Sequence, residues 1–153
     1  MRVLIVCTGN TCRSPLAAAL LTEALAAAGR PDVMVASAGT GAWEGAGASE
    51  GSYLVALERG LDLSSHRARM LSRALVDEAD LVLTMSRPHL ARVRELGGGG
   101  RAHLLGEYAG LTGHRADVAD PYGGDLDDYR TTILMLVDLM PAAATRIVDH
   151  AGS

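Results

Sequence analysis

The sequence has 153 residues, a length typical of a single domain, and its 18 acidic and 14 basic residues give a net charge of −4. That acidic balance argues against sequence-independent binding of nucleic acid, and because every basic residue is Arg, neither a Schiff base nor a lysine phosphate clamp is possible. The two cysteines, Cys7 and Cys12, are too few for a disulfide scaffold or a four-thiolate metal site.

We expect one domain over residues 1–153. No apolar stretch is expected to reach the roughly 18 residues that a membrane span needs. The apolar start at residues 3–6 is too short for the core of a signal peptide. We therefore expect a cytoplasmic protein that binds neither a membrane nor nucleic acid.

Four apolar stretches are predicted to be strands, at residues 3–6, 33–36, 80–84 and 102–105. Helices are predicted at 16–28, 49–59 and 88–96, and from Tyr129 onward. Because strands alternate with helices, the chain is predicted to adopt an α/β fold with a single open, parallel, four-stranded sheet and helices on both faces.

The element boundaries also follow from the sequence. Ser14 and Pro15 are predicted to cap and begin the first helix. Pro141 is predicted to kink or break the last helix. The acidic residues 125–128 are expected to cap that helix, and a metal site there is the less favoured interpretation. Residues 106–128 are predicted to form a long surface loop.

The segment from Cys7 to Ser14 joins the end of the first predicted strand to the first helix. At such a junction, backbone N–H groups and the positive end of a helix dipole attract an anion. Gly9 and Asn10 tolerate the left-handed backbone angles that a loop wound around phosphate needs. The segment therefore predicts a phosphate cradle formed by Thr8, Gly9, Asn10, Thr11, Cys12, Arg13 and Ser14.

Cys7 and Arg13 lie near the two ends of this segment. The helix dipole and the Arg13 cation favour the thiolate form of Cys7, which is the nucleophilic form. Arg13 offers a rigid fork that matches two phosphate oxygens and can stabilise the charge of a transition state. One turn of chain thus supplies a nucleophile and an oxyanion clamp.

Residues 6–15, VCTGNTCRSP in one-letter code, closely resemble the phosphate loop of the low-molecular-weight protein tyrosine phosphatases. Further along, Asp120-Pro121-Tyr122 resembles the general-acid motif of that family. The resemblance spans nearly the whole chain and implies a flavodoxin-like fold. It also implies a phosphatase without a cofactor, which transfers phosphate from a phosphorylated protein to Cys7 and releases inorganic phosphate, with Asp120 acting first as acid and then as base.

The same resemblance assigns supporting roles. The family holds its phosphate loop in shape through a hydrogen-bond network, and the matching positions here are Asn10, Ser14, Ser37 and His66. We expect His66 to be part of this scaffold rather than a general base. Cys7 and Cys12 lie in one loop, so a reversible disulfide between them could protect the nucleophile from over-oxidation.

Thr11 indicates which phosphorylated side chain is the substrate. Common members of the family have Ile or Leu at this position, whereas a bacterial subgroup with threonine resembles the protein arginine phosphatases. A smaller, polar residue leaves room for a guanidinium, to which Asp120 offers an opposite charge. Gly123 stands where many tyrosine-specific members carry another tyrosine, so the substrate rim is expected to consist of Thr11, Trp43 and Tyr122. Phosphoarginine is therefore favoured, with phosphotyrosine as the alternative.

Two other functions compete with a protein phosphatase. An arsenate reductase uses a similar loop, but it relays a disulfide through additional cysteines that this chain does not have. A non-catalytic phosphoprotein-binding module is a different class, and the presence of both Cys7 and Asp120 argues against it. His89 shows no ligand-like spacing and is expected to be structural or exposed.

Overall fold

The computed structural model describes residues 1–151, except for the side chains of residues 114 and 151. Its strands are β1 (Arg2–Cys7), β2 (Met34–Gly39), β3 (Leu81–Thr84) and β4 (Ala102–Leu104). They form one parallel sheet in the order β2-β1-β3-β4, in which Val3 of β1 pairs with Val35 on one side and Leu81 on the other. The predicted parallel, four-stranded sheet is confirmed.

Helices cover both faces of this sheet, as predicted. They are α1 (Arg13–Ala27), α2 (Glu50–Leu57), α3 (Arg73–Glu78), α4 (Arg87–Glu95), α5 (Leu105–Tyr108) and α6 (Leu126–Ala151). Helices α1, α2, α5 and α6 pack on one face, and α3 and α4 pack on the other. Short 3₁₀ turns occupy Gly99–Arg101 and Gly113–Ala116.

Strand β1 runs through the middle of the sheet and is buried on both sides. Val3 and Ile5 belong to the apolar core under α1 and α6, whereas Leu4 and Val6 belong to the core under α3 and α4. Successive side chains of a strand point to opposite faces, so a central strand between two helical layers needs an apolar residue at every position. This is why residues 3–6 form an uninterrupted apolar run.

The strand order reverses at β1. The chain leaves β1 through α1 to reach β2 on one side, and it later places β3 on the other side. In open α/β sheets, ligands bind in the crevice at the carboxyl ends of the strands where the order reverses. The segment that follows Cys7 begins at this point.

Helix α1 begins earlier than predicted. Cys12 is at the N-cap position, and Arg13, Ser14 and Pro15 form the first turn of the helix. The predicted capping by Ser14 is wrong because its hydroxyl is buried and bonds to the loop that precedes the helix. The Ser14 hydroxyl therefore stabilises the loop, and no side chain caps the start of α1.

Residues 106–128 do not form the long surface loop that we predicted. Helix α5 and the turn Gly113–Ala116 occupy part of this stretch, and Tyr108 and Val118 are buried. Helix α3, which has six residues, was not predicted either. Helices of four to six residues are too short for an apolar period to emerge from the sequence.

We predicted a kink or a break at Pro141; helix α6 continues across it, so the break does not occur. Pro141 is exposed, while Met140, Ala143 and Ala144 beside it are buried. The packing of these neighbours on the core outweighs the one backbone hydrogen bond that proline cannot donate.

Two acidic residues of the segment 125–128, Asp125 and Asp128, cap α6, as expected. Asp125 Oδ1 accepts a hydrogen bond from the backbone N–H of Asp128 at 3.0 Å, and Asp128 Oδ2 accepts one from the backbone N–H of Asp125 at 3.1 Å. This reciprocal pair satisfies N–H groups that the helix leaves free, and it places negative charge at the positive end of the helix.

The expectation that no apolar stretch reaches the length of a membrane span is wrong for α6. Residues Leu126–His150 are long and apolar enough to cross a membrane by length and composition. The inward face of this helix, which includes Ile133, Leu136 and Ile147, is buried in the core beside α1. Its apolar content is that of a helix packed on one face of a domain.

Gly39 ends β2 directly beside the loop that follows β1. A Cβ atom at Gly39 would press on the backbone oxygen of Thr8 and lie 2.9 Å from the backbone nitrogen of Asn10, closer than real Cβ atoms come. Two residues later, the backbone N–H of Gly41 donates to the same Thr8 oxygen at 2.9 Å. The loop therefore packs on the bare backbone of Gly39.

We expect Gly39→Ala to lower the free energy of unfolding by about 1–3 kcal/mol, because the added methyl must displace loop backbone. Gly41→Ala is the matched control, since its Cβ would lie 4.0 Å from Thr8 Cγ2, an ordinary contact. Its expected change is within about 0.5 kcal/mol. Urea denaturation of both variants measures the difference, and equal losses would contradict the close packing at Gly39.

Candidate active site

The loop of residues 7–14 turns sharply at Asn10. Its φ is 56°, which makes Asn10 the one non-glycine residue with a positive φ within residues 1–151. This conformation costs most residues about 1–2 kcal/mol, and asparagine is one of the few that adopt it. A left-handed residue inside a loop allows successive backbone N–H groups to converge on an anion.

The side chain and backbone of Asn10 are held from three sides. Its Nδ2 donates to Ser14 Oγ at 2.7 Å and to Ser37 Oγ at 2.9 Å, and its Oδ1 accepts from the backbone N–H of Arg69 at 2.9 Å. His66 Nε2 donates to the Asn10 carbonyl oxygen at 2.6 Å. Burial lowers the pKa of His66, which favours its neutral ring. The structure thus brings together all four residues expected to form the scaffold.

Cys7 lies at the buried end of the loop, with its Sγ 2.9 Å from Ser14 Oγ. Ser14 Oγ already accepts a hydrogen bond from Asn10, so its own proton is available to the sulfur. A hydroxyl that donates to Sγ stabilises negative charge there. The same serine therefore joins the scaffold to the nucleophile expected from the sequence.

Arg13 is buried, with 5% of its surface exposed, and its guanidinium is fixed at both Nη atoms. Nη1 donates to the Val118 carbonyl oxygen at 3.0 Å, and Nη2 donates to Thr8 Oγ1 at 3.4 Å. Nε is buried and has no hydrogen-bond partner within the described part of the chain. An oxyanion bound in the loop would accept from this free N–H and from Nη2, which form the fork that suits phosphate.

Asp120 lies at the open side of the same guanidinium. Its Oδ2 is 3.5 Å from Arg13 Nη2, and about half of its side chain is exposed. Its Oδ1 accepts a hydrogen bond from the backbone N–H of Tyr122 at 3.0 Å. Although Arg13 and Asp120 are far apart in sequence, the fold brings guanidinium and carboxylate together beside the loop that carries Cys7.

A family model for the low molecular weight phosphotyrosine protein phosphatases matches residues 2–150. The chain belongs to this family.

Relatives of this phosphatase are named for two substrates. EpsP of Ralstonia nicotianae, a probable low molecular weight protein-tyrosine-phosphatase, is 37% identical over 147 residues, which cover 95% of this chain and 94% of the relative. A protein-arginine-phosphatase of Geobacillus stearothermophilus is 36% identical over 146 residues, which cover 95% of each chain. A solved structure of the YwlE arginine phosphatase, a C7S mutant with a phosphorylated active-site serine, matches with a TM-score of 0.87 at 34% identity, covering 97% of this chain and 96% of that chain.

These similarities confirm the predicted enzyme class. The protein is a cysteine-dependent protein phosphatase, and proteins of this family act on phosphorylated proteins and release phosphate. The relatives with tyrosine and arginine in their names are almost equally identical to this chain. Overall similarity therefore does not separate the two substrates.

The residues predicted to form the substrate rim of this phosphatase differ in exposure. Trp43 is 84% exposed and Tyr122 is 76% exposed, so both rings stand in solvent. Thr11 is partly buried within the loop, with its Oγ1 3.8 Å from Cys12 Sγ. A Cβ at Gly9 would lie 3.5 Å from Thr11 Oγ1, so the Thr11 hydroxyl lies beside Gly9 of the same loop.

Both cysteines of the phosphatase are free thiols in this structure. Cys12 is buried behind the loop, where its Sγ donates to Ser49 Oγ at 3.3 Å and lies 3.6 Å from the hydroxyl of Tyr129. Burial raises the pKa of that Tyr129 hydroxyl, which therefore stays protonated. The reversible disulfide between Cys7 and Cys12 stays a prediction.

His89 was not recognised as part of the site from the sequence. It is buried at the start of α4, with Nε2 2.7 Å from Thr8 Oγ1 and Nδ1 2.8 Å from Ser86 Oγ. Burial, and then the Arg13 cation, lower the pKa of His89 to about 4, against the opposing effect of Asp120 and Asp117. The sequence did offer one signal for this role: Ser86 and His89 lie three residues apart, just after a buried strand that ends near the phosphate loop.

The depressed pKa of His89 makes stability depend on pH. Between its usual pKa of 6.5 and the folded value of about 4, the unfolded chain binds a proton at this residue that the folded chain does not. Stability therefore falls as the pH falls through this range, by about 2–3 kcal/mol for this group. Urea denaturation from pH 7 to pH 4.5 should give a steeper loss for the parent than for His89→Gln. Parallel pH profiles would contradict the shift.

Proposed function

We propose that this phosphatase removes phosphate from phosphoarginine side chains of proteins, by way of a phosphate transferred to Cys7. The observation that carries the choice of substrate is Thr11, a small, partly buried hydroxyl side chain within the phosphate loop. The similarity to a protein-arginine-phosphatase over 95% of the chain supports the proposal without deciding it.

In the first step, the Cys7 thiolate attacks phosphorus. The S–P bond forms, the N–P bond breaks, and the electron pair of that bond goes to the guanidino nitrogen. The carboxylic acid of Asp120 gives this nitrogen its proton, so that arginine leaves as a guanidinium. Arg13 holds two of the three equatorial oxygens through Nε and Nη2, while the loop N–H groups bind the same phosphoryl group.

In the second step, water attacks the phosphorus of the cysteinyl-phosphate. The carboxylate of Asp120 takes a proton from that water, the S–P bond breaks, and its electron pair returns to sulfur as the Cys7 thiolate. The hydrogen bond from Ser14 stabilises this leaving thiolate, since its Oγ lies 2.9 Å from Sγ. Inorganic phosphate leaves, and the next turnover can begin.

We expect the Thr11 hydroxyl and the Asp120 carboxylate to favour a guanidinium over a phenyl ring. A guanidinium is planar and cationic, so it gains from hydroxyl oxygens and from a carboxylate more than a phenyl ring does. Asp120 supplies the carboxylate, and its side chain is half exposed beside Arg13. Gly123 adds no second aromatic wall next to Tyr122.

Phosphotyrosine is the second candidate substrate, with the same mechanism. The exposed rings of Trp43 and Tyr122 favour it, because they could flank an aromatic substrate. The similarity to EpsP of Ralstonia nicotianae points in the same direction.

We place the reaction in the cytoplasm. A catalytic thiol must stay reduced, and cytosolic reductants keep thiols free. Cys7 and Cys12 are both free thiols here. We propose a phosphorylated protein as the partner, and neither a membrane nor nucleic acid.

The substrate assignment predicts an effect of Thr11→Ile. The parent should have the higher kcat/KM on phosphoarginine peptides than on matched phosphotyrosine peptides. The larger apolar side chain should lower that ratio by roughly 10-fold or more, in line with the effect of added methylenes in a pocket. Thr11→Val keeps the size of threonine and separates polarity from bulk. A parent that prefers phosphotyrosine, or a ratio unchanged by Ile, overturns the assignment.

The mechanism predicts a trapped intermediate in Asp120→Ala. Without the base of the second step, phosphate should accumulate on Cys7 after a burst of product from an activated aryl phosphate, which needs no acid to leave. Mass spectrometry of the acid-quenched protein detects the added phosphate, and Cys7→Ala is the control that should carry none. If neither a burst nor an intermediate is found, the protein is a phosphate-binding module. Thiol consumption that depends on arsenate would instead indicate an arsenate reductase.

A further inference from the structure

Thr8 lies between the buried histidine of α4 and the buried arginine of the phosphate loop. Its Oγ1 is 2.7 Å from His89 Nε2 and accepts from Arg13 Nη2 at 3.4 Å. These three side chains come from two neighbouring strand-to-helix junctions, one after β1 and one after β3. A chain of hydrogen bonds therefore runs from α4 to the guanidinium.

The far side of His89 is fixed as well. Its Nδ1 is 2.8 Å from Ser86 Oγ, and Ser86 is at the N-cap position of α4. Serine there usually accepts from the first N–H groups of the helix, but Ser86 makes no such bond. Its hydroxyl instead orients the ring, so that His89 presents Nε2 to Thr8.

Burial keeps His89 neutral, so one ring nitrogen donates and the other accepts. In either tautomer, the hydroxyl of Thr8 is oriented by Nε2 and keeps a lone pair for Arg13. A neutral ring also adds no positive charge beside Arg13.

The guanidinium of Arg13 is therefore fixed at two points. The Val118 carbonyl oxygen holds Nη1 and the Thr8 hydroxyl holds Nη2. An oxyanion can accept from the unpartnered Nε–H and from Nη2, whose other neighbour is Asp120 Oδ2 at 3.5 Å. Loss of the Thr8 contact would free the fork to rotate away from the oxygens it must face.

We propose that His89 is a positioning residue for phosphoryl transfer: it orients the Thr8 hydroxyl, and Thr8 holds the fork of Arg13 towards the transferred phosphoryl group. This rests on the proposed roles of Cys7 and Arg13, and it is independent of whether the substrate is phosphoarginine or phosphotyrosine. His89 touches neither the substrate nor the reacting atoms in this proposal.

Two near-isosteric variants separate this role from mere packing. In His89→Gln the side-chain amide falls at about the position of Nε2, so it can still bond to Thr8. In His89→Asn the amide falls at about the position of Nδ1, so it can bond to Ser86 but cannot reach Thr8. Both variants place a polar amide in the same buried site, and thermal unfolding shows whether both fold.

Two quantities are measured: kcat/KM for hydrolysis of p-nitrophenyl phosphate, and the inhibition constant of orthovanadate. Vanadate bound at the site mimics the geometry of the transition state. His89→Asn should lower kcat/KM on the order of 10-fold to 100-fold, as for a misplaced catalytic group. It should raise the inhibition constant of vanadate by a similar factor. His89→Gln should stay within about threefold of the parent on both measures.

A third variant tests the chain of contacts. Thr8→Val removes the hydroxyl at constant shape, and it should reproduce the loss seen in His89→Asn. In the double variant the two losses should not multiply, because both break the same link. Equal activity of the Asn and Gln variants, multiplied losses in the double variant, or full activity of Thr8→Val each overturn the proposal. A parent that does not hydrolyse p-nitrophenyl phosphate would instead overturn the proposed function.

Discussion

The active site depends on holding one residue, Asn10, in a left-handed backbone conformation. That conformation costs free energy, and so does burial of its amide, unless each polar atom finds a partner. The partners come from three separate parts of the fold: Ser14 in α1, Ser37 in β2, and the segment with His66 and Arg69. The loop is thus stabilised by tertiary structure rather than by its own sequence.

The loop also carries a cation that its surroundings do not neutralise fully. Arg13 is 5% exposed, and its one carboxylate neighbour within the described residues is the half-exposed Asp120. An incompletely paired charge in a protein interior is destabilising by itself. Two oxygen acceptors, at Val118 and Thr8, offset part of this cost. The remaining positive charge attracts a phosphate dianion. The affinity for phosphate is therefore gained at the expense of the stability of the fold.

The sequence sufficed where structure is set by local pattern. The apolar run of residues 3–6 predicted the central strand, and the spacing of Cys7 and Arg13 predicted the loop. It failed for α5 because short helices have no period. The break that was one alternative at Pro141 does not occur, because packing of the neighbouring residues outweighs a local preference. The contact of His89 with Thr8 joins positions 81 residues apart, and only the pairing of β1 with β3 brings them together.

Both backbone polar groups of Val118 are hydrogen-bonded. Its N–H donates to the Met85 carbonyl oxygen at 2.8 Å, just beyond β3, and its own carbonyl oxygen accepts from Arg13 at 3.0 Å. The segment that leads to Asp120 is therefore held by hydrogen bonds to Met85 and Arg13 two residues before the carboxylate. A wide swing of this segment would break two buried hydrogen bonds. Any movement of the Asp120 carboxylate away from Arg13 is therefore expected to come from its own half-exposed side chain.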